Sequence, residues 1–146
     1  MLELPGSVLF ACTMNAIRSP MAEALMRSIH SHRVYVASCG VRVGEPDPFV
    51  AEVLDEIGVP NPATPRSFDD LDDGFFDLVV SLSPEAQHRA VELTRNDAVE
   101  IEYWPTPDPS LERGNRDARI EAYRDLRRRL IERIKQRFPP ARGPTL

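Results

Sequence analysis

Cysteine is scarce: Cys12 and Cys39 are the only two in 146 residues. Two thiols cannot staple a disulfide scaffold, so a reducing, cytoplasmic setting is expected. No apolar run approaches the ~20 residues that a bilayer helix needs, which argues against a membrane span. Met1–Ala11 has neither the basic start nor the length of a secretory signal. Lysine is nearly absent, and the net charge is −5 with an isoelectric point near 5.2. Such an acidic chain is not expected to take nucleic acid as its main partner. What remains is an ordinary globular composition, 42% hydrophobic and 28% charged. The length predicts one domain over residues 1–138 and a frayed tail over 139–146. Residues 117–138 run against the overall charge, with eight basic side chains facing four acidic ones. A solvated helix that neutralises an acidic body is the expected explanation, ahead of a docking patch.

Proline is frequent, at 14 residues, and punctuates the chain. Between prolines, Ser7–Ala11, Val34–Ser38 and Asp77–Leu82 are short, apolar and β-branched, the pattern of strands covered on both faces. Residues 99–104 alternate apolar and acidic side chains, as an edge strand does. Helical spacing fills the gaps, in Ala22-Leu25-Met26-Ile29, in Val50-Val53-Leu54-Ile57 and in a longer stripe from Ile120 to Phe138. Ser19-Pro20, Asp47-Pro48 and Ser83-Pro84 each read as a capping oxygen followed by a proline that opens a helix. Strands alternating with helices predict an α/β fold: a four-stranded parallel sheet flanked by helices on both faces. Residues 60–76, rich in proline and then in Asp69, Asp70, Asp72 and Asp73, read as a loop with one short helical turn.

In such a sheet the chemistry lies beyond the carboxyl ends of the strands. There the first strand gives way to Cys12-Thr13-Met14-Asn15-Ala16-Ile17-Arg18-Ser19-Pro20. A cysteine is followed by a short loop whose N–H groups can surround an anion at a helix N-terminus. Arg18 adds a planar fork of donors, and the same donors favour a thiolate. The arrangement offers an activated nucleophile beside an oxyanion cradle. A buried structural cysteine beside an ordinary capping loop is the alternative.

The stretch from Val8 to Ala24 resembles the low-molecular-weight protein tyrosine phosphatases and the related arsenate reductases. Ser38-Cys39-Gly40 is similar to that family's second-strand ending, and Trp104-Pro105-Thr106-Pro107-Asp108-Pro109 to its general-acid loop. The resemblance implies a cysteine-dependent phosphomonoester hydrolase acting on a phosphorylated protein or a small aryl phosphate, without a metal or other cofactor. It makes Cys12 the nucleophile and places the phosphoryl oxygens on Arg18 and on the N–H groups of Thr13, Met14, Asn15, Ala16 and Ile17. Asp108 becomes the acid, Ser19 the hydrogen-bond donor to the thiolate, Asn15 the residue at a positive φ, and Ser38 its support. Position in the chain also favours Asp108 over Asp47, because Asp108 follows the fourth strand.

The sequence departs from the family at Met14, usually glycine, and at Ile17, often cysteine. Ser110 and Leu111 stand where aromatic residues are common. Two alternatives follow: arsenate reduction with an external thiol, or a phosphate-binding module with little turnover. Cys39 is a weaker candidate as an internal resolving thiol. His30, His32 and His88 are expected to be surface residues rather than metal ligands.

Overall fold

The computed structural model describes residues 4–30, 33–62, 64–71 and 76–140. In chain order it contains β1 (Ser7–Cys12), α1 (Arg18–Ile29), β2 (Tyr35–Gly40), α2 (Pro48–Asp55), β3 (Leu78–Ser81), α3 (Pro84–Leu93), β4 (Glu100–Tyr103) and α4 (Arg116–Arg137). All strand pairs are parallel, in the order β2-β1-β3-β4. The sheet and its flanking helices match the predicted α/β fold.

Alternation along the central strands sends side chains into two layers. Val8, Phe10 and Cys12 face α1, α2 and α4, together with Met21, Leu25, Val53, Leu54 and the α4 stripe. Leu9 and Ala11 face α3, together with Ala37, Cys39, Val79, Ala86 and Ala90. Among the described residues, three α-helices thus cover one face and a single α-helix the other. Each fully buried aliphatic or aromatic side chain contributes roughly 1.5–3 kcal/mol by leaving water.

Local chemistry explains the helix starts. Asp47 accepts from the Phe49 N–H at 2.9 Å and Ser83 from the Ala86 N–H at 3.2 Å, each just before a proline. Asn115 caps α4 through the Ala118 N–H at 2.9 Å. The expected cap at Ser19 is a correction: α1 begins two residues before Pro20, at Arg18. Ile17 occupies the capping position and its aliphatic side chain makes no cap bond, while the Ser19 hydroxyl is directed elsewhere, as described below. The turn expected within 60–76 is Phe68–Asp70, closed by a reciprocal Ser67–Asp70 capping box. Asp72, Asp73 and residues 141–146 lie outside the described residues.

The basic stripe of α4 is mostly engaged. Arg116 pairs with Glu52, Arg124 and Arg127 with Glu56, and Arg137 with Glu102. Arg124 and Arg127 hold the Glu56 carboxyl down at about 2 by donating hydrogen bonds to its ionised form. The stripe therefore fastens α4 to acidic residues of α2 and β4.

Candidate active site

β1 delivers Cys12 to the carboxyl edge of the sheet, where its side chain is almost wholly buried. The chain turns through residues 13–17 and enters α1. A strap leaving β2 runs along this turn: the N–H groups of Val41, Arg42 and Gly44 donate to the carbonyls of Cys12, Thr13 and Met14 at 3.1, 2.9 and 2.8 Å. No peptide bond among the described residues is cis. Each carbonyl aimed at the strap therefore sends the next residue's N–H the opposite way. Three consecutive amides, those of Thr13, Met14 and Asn15, are left pointing away from the strap, which is how a chain cradles an anion.

Asn15 holds the loop in shape with φ at +51°, the one positive value at a described non-glycine residue. Asparagine tolerates that region better than most residues. Its Nδ2 donates to Ser19 Oγ at 2.8 Å and to Ser38 Oγ at 3.0 Å, while Oδ1 accepts from the Arg66 N–H at 2.8 Å. Ser19 Oγ lies 2.9 Å from Cys12 Sγ and 3.2 Å from the Cys39 carbonyl oxygen. A hydroxyl has one proton. With Cys12 ionised that proton goes to sulfur; with a protonated thiol it is free to turn to the carbonyl.

Arg18 opens α1 and donates from Nη1 to the Thr106 carbonyl at 2.9 Å. Thr106 is fixed in turn: its N–H reaches Leu82 O and its hydroxyl reaches Trp104 O. Trp104 is buried against Phe10 and Phe138. Two residues further on, Asp108 Oδ1 accepts from the Ser110 N–H at 2.9 Å and the Ser110 hydroxyl at 2.7 Å. Asp108 Oδ2 has no hydrogen-bond partner among the described residues.

Cys12, Arg18 and Asp108 line one hollow of about 240 Å³, with Thr13, Met14, Ala16 and Ile17 around the thiol and Ser110 beside Asp108. Asn15 and Ser38 are buried behind the loop instead. Met14 is 39% exposed where it lines the hollow. A neighbouring hollow of about 300 Å³ contains Asp108, Glu112, Asp125 and Arg129 but no nucleophile. The arrangement can hold a tetrahedral anion between loop amides and a guanidinium, with a thiol on one side and a carboxyl on the other.

Cys39 does not join them. It faces the α3 layer, whereas Cys12 faces the opposite one. Burial, and secondarily the nearby Cys12, push the Cys39 thiol far up, against a smaller opposing effect of Arg66. No group of three or more metal-ligating side chains lies together among the described residues. His30 corrects its expectation as a surface residue: it is buried, with Nε2 2.7 Å from the Phe138 carbonyl oxygen. His88 is exposed beside Glu92, and His32 lies outside the described residues.

Sequence reasoning missed four contributors: Thr106, Arg66, Glu23 and the 41–44 strap. Thr106 and Arg66 act through backbone groups, and backbone roles leave no side-chain signature. Glu23 was the legible one, an acid on the apolar face of α1 at the spacing of its core residues.

The model of the low molecular weight phosphotyrosine protein phosphatase family matches residues 7–137. The glutaredoxin arsenate reductase of Synechocystis sp. is 24% identical over 129 residues, which span 88% of this chain and 92% of that protein. A low molecular weight protein tyrosine phosphatase from Bacillus subtilis superposes with a TM-score of 0.73 at 25% identity, covering 89% of this chain and 93% of its own. An arsenate reductase from Archaeoglobus fulgidus gives 0.68 at 27% identity, covering 88% and 96%. The match over almost the entire sheet-and-helix body places this chain in the low molecular weight phosphotyrosine protein phosphatase family.

Proposed function

We propose that this protein hydrolyses phosphomonoesters, with phosphotyrosine or other aryl phosphates as substrates, through a phosphocysteine intermediate. One observation carries the reading: Cys12, Arg18 and Asp108 line the same hollow. Cys12 Sγ attacks phosphorus while Asp108 gives a proton from Oδ2 to the departing phenolic oxygen. The S–P bond forms as the P–O bond breaks. In the second step a water, losing its proton to Asp108, attacks the phosphocysteine and frees inorganic phosphate and the Cys12 thiolate. Arg18 and the amides of residues 13–17 carry the charge on the phosphoryl oxygens throughout. Ser19 stabilises the thiolate as nucleophile and as leaving group. Because Cys12 must be ionised while Asp108 holds a proton, the rate should rise and fall on the acidic side of neutrality.

Arsenate reduction with an external thiol is the second reading, favoured by the arsenate reductases among the similar proteins. Turnover of p-nitrophenyl phosphate between about pH 5 and 7 separates the two. Activity abolished by Cys12→Ser and by vanadate supports the hydrolase. A wild-type protein inert on this ester but active on arsenate with a small thiol would replace it with the reductase.

A further inference from the structure

Glu23 is 3% exposed, and a carboxylate is rarely buried without partners. Its Oε1 accepts from the Ser38 hydroxyl at 2.5 Å, and its Oε2 pairs with Arg27 one turn along α1. Arg27 also donates to the Val36 carbonyl at 2.8 Å. Resting on the reading of Cys12 as nucleophile, we infer that Glu23 is a positioning residue that sets the direction of the hydrogen bonds behind the loop, so that Ser19 presents its proton to Cys12.

Donor and acceptor polarity fixes that direction. An ionised carboxylate only accepts, so the single proton of Ser38 is committed to Glu23. Ser38 Oγ must then accept from its other neighbour, and Asn15 meets it with Nδ2 at 3.0 Å. The Arg66 N–H on Asn15 Oδ1 fixes the same amide orientation independently. The second Nδ2 proton goes to Ser19 Oγ at 2.8 Å. Ser19 therefore accepts from Asn15 and keeps its own proton for sulfur at 2.9 Å. Replacing the carboxylate by a group that both donates and accepts removes the constraint at its origin. Ser38 can then accept from residue 23 in competition with Asn15 Nδ2, so the amide that donates to Ser19 is held only by the Arg66 N–H and its placement is loosened.

Charge alone predicts the opposite sign. Arg18 and Asp108 face Cys12 across the hollow, and Glu23, with Arg27 as its counter-ion, lies behind the loop. Deleting a negative charge there would favour the thiolate. The sign of the effect thus separates positioning from field.

The test is the rate of iodoacetamide alkylation of Cys12 between about pH 5 and 8, read by peptide mass spectrometry so that Cys39 does not interfere. This readout requires no turnover. Glu23→Gln is expected to slow alkylation near pH 6 by roughly 3- to 10-fold, the scale of one lost hydrogen bond, and to displace the profile upward. Glu23→Asp should restore part of the loss, and Ser38→Ala should match Glu23→Gln. The double variant should be no slower than Ser38→Ala alone, because the two residues act on one path. Faster alkylation of Glu23→Gln, or a lowered Tm with an unmoved profile, would overturn the inference. If Glu23→Gln does not fold, Ser38→Ala against Glu23→Asp decides by the same criteria. A Glu23-dependent profile in a protein inert on phosphate esters would sink the hydrolase reading and leave this one standing.

Discussion

Gly40 offers the sharpest test of how the active loop keeps its shape. It ends β2 where the strap begins, and its φ is outside the left-handed region. Alanine there meets no backbone strain, so any cost is steric. A Cβ at this position meets Arg42 O at 2.5 Å, Asn15 N at 2.6 Å and Met14 C at 2.8 Å. All three are backbone atoms, in the strap and in the loop, so no side chain can rotate aside. Relief requires the strap and the loop to part by most of an ångström, which stretches the Arg42→Thr13 and Gly44→Met14 bonds. Overpacking of this kind costs about 1–3 kcal/mol of stability, and a misplacement near 1 Å at a reacting centre costs about 100-fold in rate. Gly58→Ala is the matched control. Gly58 has φ +69°, and a Cβ there would meet no atom within 4 Å. Its penalty is therefore conformational, about 1–2 kcal/mol, and falls beyond the end of α2. Thermal melts and p-nitrophenyl phosphate kcat for both variants decide the matter. Both should melt lower, and only Gly40→Ala should lose kcat. Equal kcat in the two variants would refute the strap as the element that shapes the loop.

Three further outcomes follow from the same geometry. Asp108→Asn should slow esters with poor leaving groups far more than activated ones, because only the former need a proton in the transition state; equal losses across a series of aryl phosphates would remove Asp108 from that role. Glu56→Gln should give a pH-dependent stability difference. The folded carboxyl sits near 2 against an ordinary 4.5, so its contribution is fully present above about pH 5 and is lost as pH falls through about 2. Melting curves of both proteins from about pH 2 to 7 should converge at the acid end, and a constant difference would contradict the pairing with Arg124 and Arg127. Cys12→Ser should keep the fold while losing turnover, as read by circular dichroism beside the ester assay.

Much of this architecture was legible because it rests on periodicity and on local capping. The β-branched runs 7–11 and 34–38 and the stripe from Ile120 to Phe138 have one low-energy answer each, and Asp47 and Ser83 cap through bonds that close within three residues. Ser19 looked the same in sequence and is not a cap. Its hydroxyl has better partners in Cys12 and Asn15, which the fold brings to it from the preceding strand and loop. The segment 60–71 hid its role for a related reason. The Gly40 N–H donates to Arg66 O at 2.9 Å, and the Arg66 N–H reaches Asn15. These contacts join groups 26 and 51 positions apart through the Arg66 backbone, beyond any periodic pattern.

Cys39 bears on the choice between the two proposed chemistries. Arsenate reduction consumes two electrons, and a thiol that attacks arsenate must afterwards be relieved by a second thiol. Ala11 and Cys39 are register partners and share the α3 layer, so the Cys39 side chain leaves the sheet on the face opposite Cys12. Cysteines whose Cβ vectors diverge cannot be bridged without moving backbone, and the backbone here is the hydrogen-bonded end of a parallel ladder. Burial also keeps Cys39 protonated, so it is a poor attacking thiol. An oxidised Cys12 must therefore be recovered by a thiol from outside the chain. Cys39→Ala is expected to change neither ester hydrolysis nor thiol-supported arsenate turnover by more than about twofold, the scale of a small packing change. Peroxide-treated protein should regain activity only when a small thiol is added. Non-reducing peptide maps after peroxide treatment provide the direct check, and a Cys12–Cys39 disulfide in them would show that the sheet edge opens far enough to make this an internally resolved redox site.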